Sequence, residues 1–170
     1  MTLYTTVPSP LGTLLLTGVR TETGLALSSL SLPEQRNAPV RADTWRHSPA
    51  DFAEAASQLD AYFSGDLKEF DLTFATTAGT PFQRQVWAAL EALPYGTTTT
   101  YGELNAALGG TPARARAIGA ANGANPLLIV RPCHRVIGST GSLTGYAGGL
   151  PAKKALLTLE GFLPDPLLHL

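Results

Sequence analysis

The chain has one cysteine in 170 residues, so no internal disulfide can form. With only three histidines, at His47, His134 and His169, it also has no recognisable zinc-ligand spacing. We therefore expect neither a metal nor a cofactor. Long apolar runs are missing: nothing approaches the roughly 18 residues a spanning helix needs. Residues Met1 to Pro10 hold no basic region followed by an apolar stretch, so no signal peptide is expected. An unpaired thiol suits a reducing, cytoplasmic location. What is present is ordinary for a globular protein that buries a core, with 44% hydrophobic residues and a mean hydropathy of +0.08.

Charge is also scarce, at 15% of residues and a net −1, but one sign is missing from a whole region. Between Leu104 and Leu159 there is no Asp or Glu, while Arg114, Arg116, Arg131, Arg135, Lys153 and Lys154 all fall there. The first 103 residues carry six basic and eleven acidic side chains, and Glu160 and Asp165 return two negative charges at the end. A long stretch without carboxylates generates a positive local potential, the footprint expected of a polyanion partner. The plain alternative is an Ala/Gly-rich segment that uses few charges of either sign.

The pattern predicts two domains, 1–78 and 79–170. In the first, Leu3 to Val7 and Thr13 to Thr17 read as a hairpin around the turn cluster Pro8 to Gly12, and Gly24 to Leu30 as a third strand. Leu32 to Pro49 reads as an irregular loop. Phe52, Ala55, Ala56, Leu59, Tyr62 and Phe63 recur at helical spacing, and Phe70, Leu72 and Phe74 alternate as one further strand. Ala75 to Gly79 reads as a linker. Beyond it, Thr80-Pro81 and Thr111-Pro112 each supply a cap followed by a first-turn proline. They predict helices from Pro81 and over Ala113 to Asn122, with a short helix over Tyr101 to Leu108 between them. Pro151 to Glu160 reads as the last helix. Short helices joined by glycine turns suggest a helix-turn-helix.

The helix after Thr111 carries Arg116, Gly119 and Gly123 on one face, with Ala113 and Ala120 beside them. A glycine inside a helix costs about 1 kcal/mol relative to alanine, which close approach to a ligand would offset. A nearly bare face with one arginine suits the minor groove of DNA, or insertion of that arginine into the base stack, better than the major groove. Tight packing inside the protein selects the same small residues.

The chemistry centres on Cys133. A lone cysteine is most often an inert buried side chain. Here Pro132 fixes the backbone before it, His134 follows, and Arg131 and Arg135 flank the pair. Positive neighbours are expected to lower the thiol pKa, and a histidine can remove its proton. Adjacent side chains of an extended strand point apart, so a Cys–His relay needs a turn or a bridging water. Glu160, the first acid after Glu103, could fold back on His134 or sit exposed at a helix end.

Pro132-Cys-His-Arg-Val136, Gly141 to Gly149 and Leu156-Leu-Thr-Leu-Glu-Gly161 resemble the active-site signature of the O6-alkylguanine-DNA alkyltransferases. Thr80 to Trp87, Pro94-Tyr-Gly96 and Tyr101-Gly-Glu-Leu104 are similar to further blocks of that family, in the same order. The resemblance runs strongly from Thr80 to Gly161. It implies an α/β fold: a small N-terminal α/β (ribonuclease H-like) domain, then a mostly helical, winged-helix-like C-terminal domain whose helix-turn-helix docks in the minor groove.

It further implies Cys133 as acceptor nucleophile, His134 as base through a water, and Glu160 as the group orienting His134. Arg116 would fill the stack when the damaged nucleotide rotates out, and Tyr101 would assist rotation and donate a hydrogen bond to the leaving guanine. Asn125 would tie the recognition helix to the active-site loop. Val136 and Tyr146 would line the guanine pocket, and backbone groups near Val136, Cys133 and Ala147 would read the base.

The implied partner is duplex DNA carrying O6-alkylguanine or O4-alkylthymine, met by a monomer that is spent after one transfer. A stacked guanine cannot present its O6 to a buried sulfur, so the nucleotide must leave the stack at a cost of a few kcal/mol. Departures from the family pattern are Leu128 for a common proline, Ala147 for a common serine, Arg131 for an apolar residue, and a longer turn at Gly109-Gly-Thr111. Rival readings are a Cys–His–Glu hydrolase, a non-catalytic lesion sensor, and a plain structural or transcription-factor module. Relatives of the sensor kind lack the cysteine.

Overall fold

The structure, a computed structural model, describes residues 1–76 and 78–164. Thr77 in the expected linker, and the tail with Asp165 and His169, lie outside the described residues. The chain divides into two compact units. One comprises Met1–Ala78 with Pro126–Val130, the other Gly79–Asn125 with Arg131–Leu170.

In the first unit, strands β1 (Leu3–Val7), β2 (Leu14–Thr21) and β3 (Gly24–Ser31) form an antiparallel meander. A two-residue strand, β4 (Arg46–His47), joins β1 in parallel, giving the order β3-β2-β1-β4. It lies inside the segment read from sequence as an irregular loop; two residues are too few for any periodicity to announce them. Helix α1 (Ala53–Phe63), preceded by a 3-10 turn at Pro49–Phe52, buries Phe52, Leu59 and Tyr62.

The strand expected over Phe70 to Phe74 is not a regular strand. Only a bridge between Phe74 and Leu27 forms, with Leu27 N–H donating to Thr73 O at 2.8 Å and Ala75 N–H to Leu27 O at 2.7 Å. Phe70 instead packs its ring 5.1 Å from Tyr62, so its alternation reflects one aromatic contact rather than a pleated face. Pro126–Val130 adds to the far side of β3, where Leu30 N–H donates to Pro126 O and Leu128 N–H to Leu30 O. Leu128 is fully buried there, and a proline at its position could not make that second bond.

The second unit is helical. Helix α2 (Pro81–Glu91) starts in a capping box: Thr80 accepts from Gln83 N–H, and the Gln83 side chain accepts from Thr80 N–H. It buries Val86, Trp87 and Leu90, and the Trp87 indole donates to Ala121 O at 2.8 Å. Strand β5 (Thr99–Thr100) leads into α3 (Tyr101–Ala107). A 3-10 turn at Pro112–Arg114 then opens α4 (Ala115–Gly123). Strand β6 (Val136–Ile137) pairs in parallel with β5, and α5 (Leu150–Leu159) closes the unit. Among the described residues no helix is long and apolar enough to cross a membrane.

The turn from α3 to α4 depends on Asn105, whose buried amide donates to Thr111 O at 2.8 Å. Gly110 sits against it so closely that an added Cβ would overlap the Asn105 side chain. By contrast, nothing lies within 4 Å of a Cβ added at Gly119 or Gly123. The bare face of α4 is therefore not explained by packing within the protein. Gly110→Ala is expected to destabilise the fold by about 1–3 kcal/mol in urea unfolding. Gly119→Ala should stabilise it by up to about 1 kcal/mol. A stabilising Gly110→Ala, or a costly Gly119→Ala, would contradict these contacts.

Candidate active site

Cys133 opens a single 3-10 turn, Cys133–Arg135, entered from Pro132 at φ −78° and ψ 63°. Arg135 N–H donates to Pro132 O at 3.0 Å and closes the turn. The three side chains therefore diverge instead of alternating along a strand, and all are buried. The chain then enters β6, which holds the turn beside the start of α3.

His134 and Arg135 both reach back to Glu160, the residue that ends α5. Glu160 Oε2 lies 2.7 Å from His134 Nε2, and Arg135 donates from Nε to Oε1 at 2.7 Å and from its Nη2 to Oε2 at 3.0 Å. Arg135 also donates from Nη1 to Leu93 O at 2.6 Å and lies over the Tyr95 ring, which fastens the Pro94-Tyr-Gly96 corner to the same carboxylate. A carboxylate only accepts, so the proton of a neutral imidazole must sit on Nε2. Burial holds the His134 pKa below its ordinary value, against the opposing pull of Glu160. The ring is thus neutral near pH 7 and keeps its lone pair on Nδ1, which has no hydrogen-bond partner among the described residues.

Asn125, fully buried just after α4, donates from Nδ2 to Arg131 O at 2.9 Å, and its side chain also hydrogen-bonds Cys133. The Arg131 guanidinium returns a long bond from Nη1 to Asn125 Oδ1, lies 5.0 Å over the Trp87 ring, and approaches Glu91 at 3.8 Å. Tyr101, the first residue of α3, donates to Thr144 O at 3.4 Å. Val136, Tyr146 and Ala147 are buried. Arg116 is exposed on α4, on the open face with Ala113 and Ala120. His134, Arg135 and Glu160 therefore form one buried cluster, Cys133 at the head of the same turn is joined to Asn125, and Arg116 stands apart on the surface. Among the described residues no group of three or more His, Cys, Asp or Glu could hold a metal ion.

Two family descriptions match the chain almost end to end. The ribonuclease-like domain of 6-O-methylguanine DNA methyltransferase matches residues 2–76, and the DNA-binding domain of the same family matches 81–162. The methylated-DNA–protein-cysteine methyltransferase of Mycolicibacterium paratuberculosis is 49% identical over 92% of this chain and 91% of the relative. That of Methanosarcina acetivorans is 46% identical over 93% and 97%. The crystal structure of Mycobacterium tuberculosis O6-methylguanine methyltransferase superposes with a TM-score of 0.84 at 46% identity, covering 99% of each chain. The chain belongs to the 6-O-methylguanine DNA methyltransferase family. Its fold is accordingly a ribonuclease-like α/β domain followed by a helical DNA-binding domain.

Against that family background, one expectation fails. The flanking arginines do not hold the Cys133 pKa down as their positions predict: Arg131 lowers it only weakly, and burial pushes the thiol up to about 11. The Asn125 hydrogen bond and the Lys153 charge oppose burial, and Arg131 contributes least. Arg135 spends its charge on Glu160, and the Arg131 guanidinium lies over Trp87, so adjacency in sequence does not become adjacency of charge.

The cation that counts is Lys153, which the motifs around the cysteine do not single out. Its side chain is fully buried, with Nζ donating to Val136 O at 2.6 Å, Thr144 O at 2.9 Å and Gly145 O at 3.5 Å. Burial lowers its pKa to about 8. A signal is present in the chain: Lys153 and Glu160 fall at i and i+7 on the stripe that also carries Leu156 and Leu157, so both charges lie on the buried face of α5.

The resting thiol should titrate near 11 when followed by the 13Cβ resonance of Cys133. Lys153→Met should move the midpoint higher still. A midpoint below the ordinary thiol value of 9.0 would contradict the site as described.

Proposed function

We propose that this chain repairs alkylated duplex DNA by direct reversal, transferring the alkyl group from guanine O6 to Cys133 in one irreversible step. The observation that carries the reading is the His134 ring, fixed through Nε2 by Glu160 with its Nδ1 lone pair open, next in the chain to the single cysteine of a protein from this family. The thiol rests neutral, so its proton must leave as the alkyl carbon approaches. His134 Nδ1 takes it through a water, and the imidazolium formed faces Glu160. The sulfur then attacks the alkyl carbon while the carbon–oxygen bond breaks, and its electron pair stays with guanine. The departing base gains a proton at its oxygen or a ring nitrogen, with the Tyr101 hydroxyl donating a hydrogen bond to it.

The product is a thioether, which offers water no carbonyl to attack. One molecule therefore repairs one lesion. Arg116 fills the gap in the stack, Asn125 couples α4 to the cysteine turn, and Val136, Tyr146 and Ala147 frame the base. Val136 O already accepts from Lys153, which leaves one lone pair for the substrate. Domain 79–170 carries DNA binding and chemistry. O4-alkylthymine is a second substrate by the same displacement. The protein acts as a monomer in a reducing compartment, the cytoplasm.

Similarity to the Mycobacterium tuberculosis OGT solved in complex with DNA, at 47% identity, a TM-score of 0.84, and 94% and 93% coverage, supports the choice of partner. Incubation with duplex DNA carrying O6-methylguanine should add one methyl to the intact mass, at Cys133. Cys133→Ala should add none yet still bind DNA. Turnover, or methylation elsewhere, would reject the mechanism. Arg116→Ala should keep reactivity toward free O6-alkylguanine and lose most repair in duplex DNA; equal loss on both would reject its part in flipping.

A further inference from the structure

Tyr101 has a partner, Asn122, that the mechanism above does not use. Tyr101 begins α3, where Thr100 caps the helix by accepting from Glu103 N–H at 3.1 Å. Its phenol is half-buried, and its bond to Thr144 O, at 3.4 Å, is long for a hydroxyl donor, whose usual separation is about 2.7–2.8 Å. Thr144 alone therefore holds the hydroxyl loosely.

Asn122 lies on the last turn of α4, three residues before Asn125, with α3 packed against that helix. It is buried beside Ile118 and Ala121, the apolar residues of the same helix. Its side chain hydrogen-bonds Tyr101, and its Oδ1 is buried with no hydrogen-bond partner among the described residues. An unmatched buried carbonyl costs about 1–3 kcal/mol, which an alanine or leucine there would avoid. The amide is thus poorly chosen for packing. Its placement makes sense if its N–H is needed on the phenol oxygen.

We propose that Asn122 is a positioning residue that fixes the Tyr101 hydroxyl and strengthens it as a donor to the departing base; this rests on the alkyl-transfer reading above. The bond from Asn122 fills a lone pair of the phenol oxygen and polarises the O–H, whose hydrogen exchanges its long bond to Thr144 O for the departing base. Charge then developing on guanine meets a pre-aimed donor. Burial raises the Tyr101 pKa, side-chain hydrogen bonds with Thr144 and Asn122 pull it down, and Cys133, the titratable group facing it, raises it.

The test measures single-turnover methyl transfer from O6-methylguanine duplex DNA by the full chain and by Asn122→Leu, Tyr101→Phe and the double variant. Asn122→Ala serves as a second variant should leucine disturb folding. Asn122→Leu should slow transfer about tenfold, the value of one polar hydrogen bond, with affinity for undamaged duplex unchanged. The double variant should be no slower than Tyr101→Phe. The Tyr101 phenol should titrate at higher pH without Asn122.

If Asn122→Leu slows transfer equally with the Tyr101 hydroxyl present and with it removed by Tyr101→Phe, the inference is overturned while alkyl transfer stands. Absence of methyl transfer by the unaltered chain would instead overturn the functional reading. In that case an unmoved phenol titration would still overturn the pairing, and a raised one would support it.

Discussion

The site is organised around one buried carboxylate, Glu160, that both His134 and Arg135 engage. The Arg135 guanidinium takes both oxygens of Glu160, so the carboxylate is neutralised without a proton from His134. His134 is then free to remain a neutral ring that donates from Nε2 and keeps Nδ1 open. Without Arg135, the buried charge of Glu160 would draw a proton onto the imidazole and remove the lone pair. Without Glu160, the ring would have no fixed tautomer and Arg135 would be a buried cation lacking its partner, a loss of about 3–5 kcal/mol by general experience with such pairs. Leu93 and Tyr95 extend the same network to the corner after α2.

A neutral thiol at rest follows from this arrangement. The cysteine is buried, and the nearest strong cations are engaged elsewhere, so burial wins over the Asn125 hydrogen bond and Lys153. In the alkyl-transfer reading the cysteine is used once, and that outcome is protective: a thiolate exposed at all times would be consumed by any electrophile. Under the alkyl-transfer reading, reactivity arises only when an alkyl carbon lies against the sulfur and proton transfer to His134 is drawn along with it. Lys153 contributes structurally as well, since one ammonium gathers the carbonyls of Val136 and Thr144.

Much of this is legible in the chain. In the second unit α2 follows from its Thr80-Pro81 start, whereas Thr111 makes no side-chain cap bond and Pro112 opens a 3-10 turn ahead of α4; the first three strands follow from β-prone runs between turn clusters. The pairing of Glu160 with His134 cannot be chosen from spacing, because an exposed helix end fits the sequence equally well; the stripe shared with Leu156 and Leu157 is the better clue. Strand β4 escapes a sequence reading because its pairing is decided by a distant strand rather than by its own residues. The thiol pKa departs from expectation because charge counted along the sequence is not charge in space: side chains leaving a 3-10 turn point to different partners. Gly119 and Gly123 are ambiguous between packing and an open face until their surroundings are known.

The most direct test of this arrangement is the 15N spectrum of the His134 ring in the unreacted protein at pH 7. Nε2 should carry the proton, and Nδ1 should show the shift of an unprotonated nitrogen. A protonated Nδ1, in either the opposite tautomer or an imidazolium, would contradict the role assigned to the shared carboxylate.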